Sequence, residues 1–103
     1  MSFLSNLFGG GKIKDALKRG AIIIDVRTGT EYDFGHVPDA FNIPVARIQE
    51  SAERLIASKM PVIICCNTGE RSSLAVQKLK AKGVKDVYNG GSWENLLKMM
   101  KSI

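Results

Sequence analysis

The chain has 103 residues, of which 45% are hydrophobic and 24% charged, with a formal net charge of +5 and a pI near 9.4. That length has room for one domain, and no run approaches the roughly 20 apolar residues a spanning helix needs, so no stable membrane insertion is expected. The basic balance suits steering of small anionic substrates or contact with an acidic protein. Nucleic acid is not expected: Lys78, Lys80, Lys82 and Lys85 form one modest cluster, with no interleaved aromatic residues for base stacking.

In chain order, Met1 to Phe8 comes first, with Phe3, Leu4, Leu7 and Phe8 on one helical face. It lacks a basic n-region, a sustained apolar core and a small-residue cleavage site, so no secretory signal is expected and the expected compartment is the cytoplasm. Gly9-Gly10-Gly11 reads as a linker, giving a short N-terminal segment over 1–11 and a domain over 12–103. Lys12 to Arg19 predicts a helix stopped by Gly20. Ala21-Ile22-Ile23-Ile24-Asp25-Val26 is an apolar run of the kind found in a central parallel strand. A single helical turn is expected over Thr30 to Phe34, then a turn and short strand over Val37 to Pro44. Val45, Ile48, Ala52, Leu55 and Ile56 mark one face of a helix.

The second strong strand run is Pro61 to Cys65. A polar loop follows, then a helix from Ser72 to about Lys82 that Gly83 closes. Val84 to Tyr88 predicts a last short strand, Gly90-Gly91 a turn, and Ser92 an N-cap for a helix that buries Trp93, Leu96, Leu97 and Met100. Strands alternating with helices predict an α/β fold, a parallel sheet between helix layers with its site beyond the carboxyl ends of the strands.

The run Cys65-Cys66-Asn67-Thr68-Gly69-Glu70-Arg71-Ser72 occupies such a position. A thiol between a strand end and a helix start faces loop N–H groups and the positive end of the helix dipole, and both stabilise a thiolate. Arg71 is placed to add a full charge to that anion cradle. If the strand continues, Cys65 and Cys66 point to opposite faces, so that one is core while the other meets the loop. Two adjacent cysteines do not make a secreted disulfide framework, and cysteine and histidine are too few for a zinc site, so no metal is expected. His36, in Gly35-His36-Val37-Pro38, is expected to hydrogen-bond the turn backbone. Asp25 and Arg27 are expected at the site rim as an ion pair or loop anchor.

Ile24-Asp25-Val26-Arg27, Glu31 to Pro44, the cysteine loop and Asn89-Gly90-Gly91-Ser92-Trp93 occur in an order and spacing that resembles the single-domain rhodanese family of sulfurtransferases. The resemblance runs from about Lys12 to Lys101. It implies a three-layer rhodanese-like fold with a five-stranded, mostly parallel sheet flanked by helices. It also implies that Cys66 is the nucleophile, since the glycine three residues on is Gly69. A competing Cys-x5-Arg frame from Cys65 resembles phosphatase or arsenate-reductase loops, but it lands on Thr68 and is preceded by Ile64.

The implied chemistry moves sulfane sulfur through a Cys66 persulfide, from a small anionic donor (thiosulfate or a persulfide) to a thiophilic acceptor such as cyanide, a thiol or a carrier protein. No cofactor is required and a monomer is expected. Asn67, Thr68, Gly69, Glu70, Arg71 and Ser72 would form the anion loop, with Asp25, Arg27 and His36 as rim or support. Arg71 would bind the donor, and Ser72 reads as the cap of the following helix. Glu70 departs from the neutral or basic residue usual there and is expected to disfavour a dianion. The alternative within the family is a sulfur-carrier or partner-binding module without its own turnover.

Overall fold

A computed structural model of the chain describes residues 10–103, so the Phe3, Leu4, Leu7 and Phe8 face lies outside the described residues. Helix α1 spans Gly10–Lys18 and takes Gly10 and Gly11 into its first turn, two residues before the expected start. It ends as anticipated at Gly20, whose φ of +82° suits glycine. The N–H groups of Gly20 and Ala21 return to the carbonyls of Leu17 and Ala16 (3.0 and 3.1 Å), satisfying two groups the helix end would leave bare. Strand β1 is Ile22–Asp25, α2 is Gly29–Phe34 and β2 is the two-residue Phe41–Asn42.

The helix anticipated from Val45 begins as a 3-10 segment, Val45–Ser51, and becomes α-helical only in α3, Ala52–Ser58. Ile48, Ala52 and Leu55 are buried there, whereas Ile56 is exposed. Strand β3 is Val62–Cys66, α4 is Glu70–Ala81, β4 is Val87–Ser92 and α5 is Trp93–Lys101. No described helix is long and apolar enough to cross a membrane.

The strands lie in the order β2-β1-β3-β4, and every neighbouring pair is parallel. The described residues thus hold four strands, not the five the resemblance implied. The sequence offers four runs of strand character, and each forms one strand. The last run is displaced: Val84 to Asp86 is not strand, and β4 instead continues through Gly90-Gly91 to Ser92. The pairing of β3 with β4 shifts between Ile64 and Cys65, from Ile64↔Asn89 to Cys65↔Gly91, so one extra residue is absorbed as a bulge. Gly90 fits because a Cβ there would lie 2.7 Å from Ile63 Cγ2.

Alternation along β3 divides the core. Val62, Ile64 and Cys66 face α3 and α4, packing with Ile24, Val26, Leu55, Val76 and Leu79. Ile63 and Cys65 face the opposite layer, with Ile13 and Ala16 of α1 and Leu96 of α5. Side chains of successive strand residues point to opposite faces, so two adjacent thiols are held in different cores.

Candidate active site

The site forms where β3 ends and α4 begins. Gly69, at φ +98°, makes the sharp reversal and occupies the N-cap position of α4, with no side-chain cap bond. The sequence reading of Ser72 as the helix cap is therefore corrected: Gly69 holds that position. It is buried within the first turn, and its hydroxyl points back beneath the loop. The oxygen lies 3.4 Å from Cys66 Sγ, 3.1 Å from the Gly69 carbonyl and 2.6 Å from Asn89 Oδ1. One hydroxyl hydrogen is thus within reach of three acceptors.

Cys66 is 1% exposed at the floor of this loop, and its Sγ accepts the Gly69 N–H at 3.0 Å. Burial pushes its thiol pKa up. The Ser72 hydroxyl and the backbone N–H groups of Ser72, Gly69 and Thr68 outweigh that and hold it below the ordinary thiol value. Cys65 has none of these donors. Burial, with the nearby Asp25 carboxylate, pushes its thiol up to about 12 despite Arg27. The loop donors therefore converge on Cys66, whereas the Cys65 sulfur lies on the other face of the sheet.

Two guanidinium groups converge on the loop, and each already has a carboxylate. Arg27 is 3% exposed and Asp25 fully buried, and Arg27 Nη2 meets Asp25 Oδ2 at 2.7 Å. Arg27 Nη2 also donates to the Gly35 carbonyl at 2.6 Å, and its guanidinium lies 5.0 Å from the Trp93 ring centroid. This buried pair braces the rim, as anticipated. Arg71 Nη1 and Nη2 donate to Glu31 Oε1 and Oε2 at 2.7 and 3.0 Å, a two-pronged pair. The partner is Glu31, 40 positions from Arg71 in sequence, and not the adjacent Glu70, which stays exposed.

Asn67 joins the two arginine systems. Its Nδ2 donates to Glu31 Oε2 at 2.8 Å, and its Oδ1 accepts from Arg27 Nη1 at 3.4 Å. Thr68 is exposed at the loop crest. His36 stands apart from the thiol: its Nδ1 meets the Tyr32 carbonyl at 2.7 Å and its ring stacks on Tyr32 at 3.6 Å. A carbonyl only accepts, so Nδ1 carries the hydrogen, and the role is the backbone one expected.

Sequence reasoning passed over Glu31 and Asn89. Glu31 also closes a capping box with Thr28 at the head of α2, so Thr28-x-x-Glu31 was a readable signal for its position, though not for its partner. Asn89 holds the far side of the loop: Nδ2 donates to the Gly69 carbonyl at 3.0 Å, while Oδ1 accepts the Gly91 N–H at 2.8 Å. A polar residue directly after the expected strand Val84 to Tyr88 was the available clue. An open groove of ≈ 830 Å³ runs beside Thr68, Gly69 and Glu70 toward Ile13 and Met99; Cys66 does not line it.

The model of the rhodanese-like domain family matches residues 10–98. YqhL of Bacillus subtilis is 34% identical over 87 residues, which cover 81% of this chain and 68% of that protein. Thiosulfate sulfurtransferase GlpE of Coxiella burnetii is 35% identical over 72 residues, covering 70% of this chain and 66% of GlpE. The chain spans only 19% of a longer relative, the adenylyltransferase and sulfurtransferase MOCS3 of Drosophila virilis. Among solved structures, a rhodanese with anions from E. coli superposes with a TM-score of 0.68 at 31% identity, covering 74% of this chain and 91% of that one.

Proposed function

Because this chain belongs to the rhodanese-like domain family, we propose that it is a sulfurtransferase that carries sulfane sulfur as a persulfide on Cys66. The observation that carries this reading is the cradle itself. Cys66 Sγ sits at the head of α4, bonded by the Gly69 N–H at 3.0 Å, in surroundings that favour its thiolate.

In the first half-reaction the Cys66 thiolate attacks the outer sulfur of thiosulfate. A bond forms between Sγ and that sulfur as the bond to the sulfonate breaks, and sulfite departs with the electron pair. The outer sulfur then carries a negative charge, which the loop N–H groups from Asn67 to Ser72 disperse as an oxyanion site would. In the second half-reaction cyanide or a thiolate attacks the outer sulfur, the bond from that sulfur to Sγ breaks, and the Cys66 thiolate leaves with the electron pair. Two displacements at sulfur restore the starting enzyme without an oxidant, a reductant or a proton relay. Attack by a preformed thiolate also needs no general base, in keeping with the engagement of His36 by backbone.

The test is intact mass after brief thiosulfate treatment of the wild type, Cys65→Ser and Cys66→Ser. Wild type and Cys65→Ser are expected to gain one sulfur atom, removable by cyanide, and Cys66→Ser to gain none. Sulfur retained by Cys66→Ser, or phosphatase turnover that depends on Cys65, would overturn the reading.

A further inference from the structure

We propose that Glu31 selects the sulfur donor by charge: it holds Arg71 in a two-pronged pair at the mouth of the loop and thereby favours singly charged sulfane-sulfur donors over dianions. The inference rests on the sulfurtransferase reading above and adds a donor class to it.

Thiosulfate carries two negative charges, so the rim should offer it uncompensated cations. The chain as a whole is basic, at +5, but the rim is not. Its two guanidiniums, Arg27 and Arg71, stand against three carboxylates, Asp25, Glu31 and the exposed Glu70. Arg27 is buried with Asp25 and cannot turn outward without abandoning a buried carboxylate. Arg71 is partly exposed and, among the described residues, is the one rim guanidinium with room to reach a donor. Yet both of its terminal nitrogens point at Glu31, the geometry in which a guanidinium fork is best satisfied. Glu31 is itself fixed by the Thr28 N–H at 3.0 Å and by Asn67 Nδ2 at 2.8 Å, so neither partner of the pair is a loose surface chain.

A donor entering this mouth meets net negative charge from the side chains and attraction only from the backbone N–H groups and the head of α4. Those partial charges can hold one negative sulfur. They do not offset a second full charge on the donor. A donor with one charge, such as an organic thiosulfonate anion or a low-molecular-weight persulfide, avoids that penalty. The chemistry is the same displacement: a Cys66 Sγ–S bond forms, the donor's S–S bond breaks, and a sulfinate or thiolate leaves with the electron pair.

Glu31 acts through Arg71 and is a positioning residue. The experiment compares thiosulfate with methanethiosulfonate, which presents a similar sulfane sulfur with one charge fewer, and reads the ratio of their kcat/KM values. Glu31→Gln keeps a side chain that can still close the capping box while releasing the Arg71 fork. We expect it to raise the thiosulfate-to-methanethiosulfonate ratio about five- to tenfold at low salt. The gain should fall on the thiosulfate KM with kcat within about twofold, and it should shrink at about 0.5 M salt, where screening acts over a few ångströms. In an Arg71→Gln background the same change should move the ratio less than about threefold, because no fork is left to release.

A ratio unchanged in Glu31→Gln, or an equal gain in both backgrounds, overturns the proposal while leaving sulfur transfer intact. Wild type that gains no sulfur from either donor overturns the underlying sulfurtransferase reading instead. Should Glu31→Gln fold poorly, Arg71→Gln alone decides. A loss of more than about tenfold in thiosulfate kcat/KM, with methanethiosulfonate unaffected, would show that Arg71 already serves the dianion in the wild type.

Discussion

At the scale of single residues, the chemistry of Cys66 depends on which donors surround one sulfur atom. Burial alone would raise its pKa, and the loop N–H groups and the Ser72 hydroxyl reverse that. Removing the hydroxyl leaves burial less opposed. Ser72→Ala should therefore shift the pH profile of Cys66 alkylation toward higher pH and slow the reaction at neutral pH by about fivefold, the worth of one hydrogen bond of about 1 kcal/mol. Iodoacetamide kinetics from pH 6 to pH 10 read this directly, and an unshifted profile would deny Ser72 that role. The cysteine, the loop and the Arg71 charge were legible in sequence because they are local. Glu31 was not legible as the partner of Arg71, since the pair forms only after α2 and α4 are brought to the same end of the sheet. Glu70, one position from Arg71, stays exposed and takes no part in that pair.

At the scale of elements, apolar periodicity located nearly every strand and helix; it gave no sign that the Val45 helix opens as a 3-10 segment, and at the last strand it was glycine that misled. Gly20 and Gly83 were read as helix stops, and both lie at positive φ just beyond α1 and α4. Gly90-Gly91 was read as a turn because glycine pairs usually are. Here β4 runs through them, and the two glycines serve different needs. At Gly90 the need is space, since a Cβ would lie 2.7 Å from Ile63 Cγ2 and 3.2 Å from the Ile64 carbonyl. At Gly91 it is backbone shape, with φ +75° and no atom within 4 Å of an added Cβ. Gly90→Ala should accordingly cost about 2–3 kcal/mol through overpacking, and Gly91→Ala about 1 kcal/mol through conformation alone. Urea midpoints should rank the two in that order, and the reverse ranking would mean that the bulge is not sterically set.

For the whole molecule, the sheet is a partition between two cores, and the vicinal cysteines report on both. Cys65, fully buried against α1 and α5, has a thiol pushed up to about 12. An acid whose pKa is raised by folding contributes stability that is intact below its unfolded value, near 8.5, and is lost as pH climbs toward the folded one. Between those limits the unfolded chain releases a proton that the native chain keeps, so stability falls by about 1.4 kcal/mol per pH unit from this group. Cys66 has the opposite sign: its lowered pKa adds stability as pH rises from its folded value to the unfolded one. Cys65→Ala should flatten the alkaline decline relative to wild type, as urea melts from pH 8 to pH 11 would measure. A slope identical in both would contradict the burial of that thiol.

The same partition governs what happens to a damaged site. The chain has two cysteines, and the sheet stands between their sulfurs. A Cys66 oxidised to the sulfenic acid consequently finds no second thiol on its own face of the sheet among the described residues. The neighbouring residue in sequence is, for that sulfur, on the far side of a wall.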